Sequence, residues 1–245
     1  MRSLKLALQF LTILPLRVGG EVSPADLRRS LAWFPVVGLL IGAVLATLQQ
    51  HAWPSAPARL SCLLLVIVGL LLTGALHLDG LADVADALCA RKDRAGRLAV
   101  MKDPRVGAAG AAAVVLALLL RWELLASLGG RVQLLALLVS PLVGRAAMVV
   151  ALRVLPPARP EGLGRMLWPA PRGTVLLSLG LAVAFLTGVL GILPGLQAAA
   201  GAALAVGILL SVSARAFGGI TGDVCGAAGE LAELACLAGF LRAGA

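Results

Sequence analysis

Six apolar stretches of about 20 residues dominate this chain, at 31–48, 60–78, 106–126, 132–152, 174–193 and 197–216. Inside a bilayer every backbone polar group must be satisfied within its own segment or a closed barrel, so stretches of this kind fold as helices. Composition closes the soluble alternative. Of 245 residues 60% are hydrophobic and 13% charged, against about 25% charged in ordinary soluble domains, too few to cover the apolar surface. Tyrosine is absent and aromatics are 4%, which argues against an outer-membrane barrel with aromatic girdles. The expected fold is all-α: a polytopic integral membrane helical bundle with about six to seven transmembrane helices, read as a single domain over 1–245. Residues 4–16 are apolar but short, and read as an N-terminal interfacial or re-entrant helix ending at Pro15. The segment 231–241 reads as a seventh half-span or an interfacial helix. Small-residue helix faces are compatible with a homo-oligomer, and membrane lipid is the expected surrounding.

The formal charge of +9 serves topology here rather than nucleic-acid binding, since no basic run is interleaved with aromatics. Sixteen Lys and Arg residues fall in the segments before 31, between the second and third stretches, in 153–173 and at Arg215, while the opposite face receives Arg59, Arg121 and Arg131. The positive-inside rule makes the basic face cytoplasmic. The acidic residues other than Glu123 fall on that face or at its helix ends, so any chemistry is expected there. The four cysteines, scattered without a CxxC or Cys/His cluster, read as small apolar fillers, and the N-terminus shows no small-residue cleavage site.

The sharpest motif is His77-Leu-Asp79-Gly-Leu-Ala-Asp83-Val-Ala-Asp86. On a helix, aspartates at i, i+4 and i+7 lie within about 60° of one another. Like charges stacked this way repel, and a cation between them reverses the sign. Hard carboxylates beside a membrane suit Mg²⁺, which takes a few of them with phosphate oxygens and water. Next, Lys102-Asp103-Pro104-Arg105 precedes a glycine-bearing helix start, a natural phosphate cradle. A third motif sets Gly219, Thr221 and Gly222 around Asp223 in what reads as a tight loop, with Glu230 and Glu233 beyond it as a solvated helix face or more. Arg145 lies inside an apolar stretch, where a charge faces the bundle interior or snorkels to the interface. Glu161, Gly162 and Gly164 form a glycine-bearing loop suited to a lid or a substrate loop. Together these features match phosphoryl transfer, where catalysis is mostly positioning and charge neutralisation.

The strings LQFLTILPL, FPVVGLLIGA, TGALHLDGLADVADAL, AVMKDPRVGAAG, EGLG and GGITGDVCGAAGELAEL, in this order, resemble the cobalamin synthase family, the adenosylcobinamide-GDP ribazoletransferases. The likeness spans nearly the whole chain, and HLDGLAD with GGxTGD is specific. Two departures, Ala87 after Asp86 and Val224-Cys225 after Asp223, remove no charged group. The resemblance implies transfer of the adenosylcobinamide phosphate moiety from its GDP ester to α-ribazole or its 5′-phosphate, releasing GMP, in the bacterial cytoplasmic (inner) membrane. It assigns Mg²⁺ to Asp79, Asp83 and Asp86, and the phosphates and departing GMP to Lys102 and Arg105. Asp103 or Asp223 completes the metal site or takes the proton of the ribazole hydroxyl. His77, Arg145, Glu161, Gly162, Gly164, Gly219, Thr221 and Gly222 are assigned to substrate. CDP-alcohol phosphotransferases share spaced aspartates but carry a longer pattern with Ala-Arg that is missing here. A transporter of corrinoid or cation is the rival from another class, expected to place polar residues at the bilayer midplane. A non-catalytic anchor would leave the aspartates freely replaceable.

Overall fold

Helices make up the regular structure of the computed structural model, which describes residues 1–53 and 56–244. An amphipathic α1 (Arg2–Leu11) and a short α2 (Pro24–Ser30) lead through one 3-10 turn into α3 (Phe34–His51). Then come α4 (Ala58–Thr73), α5 (Leu76–Cys89), α6 (Arg94–Val100), α7 (Ala108–Ser127), α8 (Gly130–Val154), α9 (Leu163–Leu167), α10 (Arg172–Leu190), α11 (Ile192–Ala216) and α12 (Gly222–Gly244). Among the described residues six helical units are long and apolar enough to cross a membrane: α2–α3, α7, α8, α10, α11 and α12; α4 and α5 together make a seventh, bent candidate. The polytopic helical bundle expected from the sequence is the fold observed.

Three boundaries differ from expectation, each for a physical reason. The N-terminal helix stops at Leu11 rather than Pro15, because the next residues run extended and Ile13 N–H donates to the Leu72 carbonyl at 2.9 Å. It buries Leu6, Ala7 and Leu11 and exposes Arg2, Lys5 and Gln9. The second stretch does not continue through residue 78. Gly74 and Ala75 both adopt left-handed backbone, with φ of 61° and 55°, and α5 departs from α4 at 90°. A right-handed helix cannot pass through two such residues. We therefore read α4, about 24 Å long, as the crossing arm and α5 as lying across the end of the bundle. Finally, 231–241 is no half-span but part of the 23-residue α12.

The bundle is centred on α8 and α12, whose apolar windows are each 72% buried. Helix α8 packs against α3, α10 and α12, and α12 against α5 and α11. Gly38 and Gly42, one turn apart on α3, lie directly on the α8 backbone at Pro141 and Leu138, the close approach that small residues permit between membrane helices. Leu116 of α7, Leu176 of α10 and Leu204 of α11 are exposed, as side chains meeting lipid tails would be. Cys62, Cys225 and Cys236 are buried fillers, whereas Cys89 is exposed.

At one end the connecting segments interlock. A β-bridge joins Pro157 to Ile220, with Ala158 N–H donating to the Ile220 carbonyl at 2.9 Å and Ile220 N–H to that of Pro156 at 2.8 Å. Arg159 donates to the Leu98 carbonyl at 2.8 Å, and Arg94 to that of Ala158 at 3.4 Å. The segments 90–107, 155–171 and 217–221 thus form one surface with α5 beneath it.

Candidate active site

Two glycines bring the acidic motifs together. A Cβ on Gly80 would lie 2.7 Å from the carbonyl oxygen of Asp223, and one on Gly226 would lie 3.1 Å from the Cα of His77. Helices α5 and α12 therefore touch backbone to backbone, which sets Asp79 and Asp83 beside Asp223. The expected loop around Asp223 is instead the first turn of α12, with Thr221 as its cap. Thr221 Oγ1 accepts from Val224 N–H at 3.1 Å and donates to Asp223 Oδ2 at 3.2 Å. Gly219 lies against the Pro156 carbonyl, where a side chain has no room.

Charge at this junction is unevenly matched. Burial, then the carboxylates of Asp223, Asp79 and Asp86, push the Asp83 carboxyl up to about 6; Arg159 pulls the other way. Arg159 Nη1 stands 3.9 Å from Asp223 Oδ2. Arg159, Glu161, Gly162, Gly164, Thr221 and Gly222 surround a hollow that reaches Asp223. The loop turns at Gly162, whose φ is 101°, and Gly164 packs on the Thr221 backbone. A second hollow, sharing Gly164, Gly222 and Asp223 with the first, runs down to His77 and Asp79. Five of the expected substrate residues, Glu161, Gly162, Gly164, Thr221 and Gly222, thus line one hollow. Among the described residues, no three His, Cys, Asp or Glu side chains converge closely enough to ligate one ion by themselves.

The Lys102–Arg105 segment departs from expectation. The amides at the start of α7 do not await a phosphate, because Asp86 already fills that position. Its carboxylate accepts from Gly107 N–H and from Gly110 N–H, each at 2.7 Å. A helix N-terminus attracts the nearest anion, and here that anion is one of the three aspartates, so Asp86 faces α7 while Asp79 and Asp83 face α12. Arg105 in turn folds back on Asp103, with contacts of 2.9 and 2.6 Å, and holds that carboxyl down to about 2. Arg105 and Lys102 are exposed. The segment touches the site through Met101, whose Sδ lies 3.9 Å from Thr221 Oγ1.

Comparison with known proteins places the chain in a family. The family model described as Cobalamin-5-phosphate synthase matches residues 3–241. This chain belongs to that family. An adenosylcobinamide-GDP ribazoletransferase of Pseudomonas fluorescens (strain Pf0-1) is 40% identical over 98% of this chain and 99% of its own length. The protein of that name from Geotalea daltonii is 41% identical over 94% of this chain and 93% of its own length. For the one from Pseudomonas entomophila the figures are 44%, 96% and 96%. No solved structure matches the chain.

In this synthase-family bundle Arg145, too, sits apart from the acidic junction. Arg145 is 3% exposed and its guanidinium is paired with Glu233 inside the bundle. Arg121, expected on the opposite face, joins it there, bonded to Glu230 at 2.8 Å and to Glu233 at 3.1 Å. Glu230 and Glu233 are 7% and 6% exposed, so the solvated acidic face is instead an interior quartet of two arginines and two glutamates. At 1.5 Å per residue the four Cα atoms lie about 12–20 Å below the end that carries the acidic junction. Sequence reading also passed over Arg159, counted only among the topology-setting cations. Its place two residues before Glu161 and the glycine loop was the available signal.

Proposed function

We propose that this chain transfers the adenosylcobinamide phosphate moiety from adenosylcobinamide-GDP to a ribose hydroxyl of α-ribazole or its 5′-phosphate, with Mg²⁺ and release of GMP. The observation that carries this reading is the meeting of Asp79, Asp83 and Asp223 with Arg159 and the Gly162–Gly164 loop at one end of a membrane bundle. Relatives at about 40% identity over nearly their full length bear the name of that activity. The basic segments at this end support a cytoplasmic face of the bacterial inner membrane.

The residues suit Mg²⁺. Burial and then the neighbouring carboxylates raise Asp83, and a divalent cation relieves the repulsive part. Mg²⁺ is commonly held by one or two carboxylates with substrate phosphates and water completing its shell, which accords with fewer than three convergent carboxylates. Asp79 and Asp83 would hold the ion, and Asp86 fixes the start of α7 behind them. An ion held there would supply positive charge to offset that of the diphosphate. Arg159 and the backbone of the Gly162–Gly164 loop take the phosphate oxygens, and exposed Lys102 draws the anionic donor to the rim. The acceptor oxygen bonds to the phosphorus that carries the cobinamide, and the bond from that phosphorus to the GMP oxygen breaks. Asp223 receives the hydroxyl proton. Asp103 is the poorer base, since Arg105 already occupies its carboxylate.

The test is GMP release by detergent-purified protein given adenosylcobinamide-GDP, with and without α-ribazole and Mg²⁺. The expected result is release that needs both, lost in Asp83→Asn while the protein stays folded. Release without acceptor would make the protein a hydrolase. The interior quartet favours a transporter more than the sequence did, although its charges cancel pairwise. Corrinoid uptake by proteoliposomes without GMP release would select that reading.

A further inference from the structure

His77 is 3% exposed, and neither ring nitrogen has a hydrogen-bond partner among the described residues. Buried polar atoms in native proteins are nearly always paired, so an unpaired imidazole marks a place where something else binds. The ring lines the hollow that opens at Asp79 and Asp223, and the rest of the wall is chiefly apolar, from Phe10 of α1, Met148 and Leu152 of α8, and Leu163 and Leu167 of α9. Helices α1, α8, α9 and α12 thus enclose one unsatisfied imidazole of α5 in a chiefly hydrocarbon lining.

Resting on the transferase reading above, we infer that this hollow is the subsite for the aromatic base of the acceptor. Riboses apart, the substrates offer the corrin ring with the adenosyl group it carries, a diphosphate, guanine and the acceptor's base. The corrin ring and its adenosyl group are together far too large. A diphosphate would meet an apolar wall and two carboxylates. Guanine carries donors and acceptors around most of its edge and needs several polar partners. A benzimidazole-type base is flat and apolar, and its one unsubstituted ring nitrogen accepts a single hydrogen bond. A neutral imidazole has one N–H to give. With the base against His77, the attached ribose comes to the mouth at Asp79 and Asp223. The phosphates of the donor then occupy the adjoining hollow of Arg159 and Gly162, since the two share Leu163, Gly164, Gly222 and Asp223. Asp223 stands between them, where the hydroxyl loses its proton.

The experiment is steady-state kinetics of GMP release with each substrate varied in turn, using wild type, His77→Leu and His77→Gln, with free benzimidazole as the probe. Loss of one hydrogen bond of ordinary strength corresponds to about a tenfold rise in KM for α-ribazole. The KM for adenosylcobinamide-GDP is expected to stay within about twofold, and His77→Gln, which keeps an N–H donor, to recover part of the loss. Benzimidazole is expected to compete with α-ribazole and not with the donor. Should His77→Leu fail to fold, inhibition of the wild type and Met148→Trp, which fills the hollow, make the same distinction. A rise in donor KM instead, or absence of competition by benzimidazole, overturns the subsite and leaves the transferase standing. Absence of GMP release by wild type with both substrates overturns the transferase reading itself.

Discussion

Replacing Arg145 with Leu isolates the energetics of the interior quartet. Arg145 and Glu233 have side-chain exposures of 4% and 7%, so solvent screens neither. Removing the guanidinium leaves two carboxylates to one cation, Arg121, which stands 2.8 Å from Glu230 and 3.1 Å from Glu233. Breaking a buried pair by deleting one partner costs about 3–5 kcal/mol. Arg121 still reaches Glu233, which places this case at the lower end, about 3 kcal/mol. Deleting both partners, Arg145→Leu with Glu233→Leu, leaves the Arg121–Glu230 pair neutral and costs little, since an apolar replacement of a buried pair is often neutral. The expected signature is a coupling energy of at least about 3 kcal/mol between the two sites, since Glu233→Leu alone also strands a buried charge. In a chain of this length a 3 kcal/mol loss lowers Tm by roughly 6–12 °C, read by thermal unfolding in mild detergent. GMP release below the transition is expected to survive in the double variant, because the quartet lies below the acidic junction. A single variant as stable as wild type, or a double variant no better than the single, would refute the reasoning.

Three further outcomes follow from the acidic junction. Asp86→Ala removes two charge-assisted hydrogen bonds from the start of α7, a loss of about 1–3 kcal/mol, so the amides of Gly107 and Gly110 should exchange hydrogen faster, with Asn in that place restoring part of the protection. Arg159→Ala should raise the KM for adenosylcobinamide-GDP about ten- to hundredfold, whereas Arg105→Ala, an exposed residue paired only with Asp103, should change it less than about twofold. Asp83, raised to about 6, gains a proton as pH falls through that value, and a protonated carboxyl binds Mg²⁺ poorly. Below it the Mg²⁺ needed for half-maximal GMP release should climb about tenfold per pH unit, and a requirement unchanged between about pH 7 and about pH 5 would exclude Asp83 as a ligand.

The spans were legible because apolar length is a local property, and α3, α7, α8, α10 and α11 stand close to where their stretches lie. The aspartates at 79, 83 and 86 were legible as one helix face for the same reason. What the chain did not disclose was partnership. Asp86 turns to an amide 21 residues away and Arg121 to a glutamate 109 residues away, and neither spacing leaves a periodic trace. The break after Thr73 was hidden because Ala75, a strong helix former, takes a left-handed conformation that its own preferences oppose. Glu230 and Glu233 looked solvated because a carboxylate pair three residues apart reads alike on a wet face and against buried arginines.

The quartet also bears on how the protein is made. Arg121 and Arg145 leave the ribosome 109 and 88 residues ahead of their glutamates. At about 5–20 residues per second the wait lasts roughly 4–22 s. During it α7 and α8 each carry an uncompensated charge at a depth where translocon insertion is penalised by about 2.5–3.5 kcal/mol. Until then the arginines are expected to lean toward the nearer interface, and the two carboxylates of α12 draw them into the bundle when it arrives.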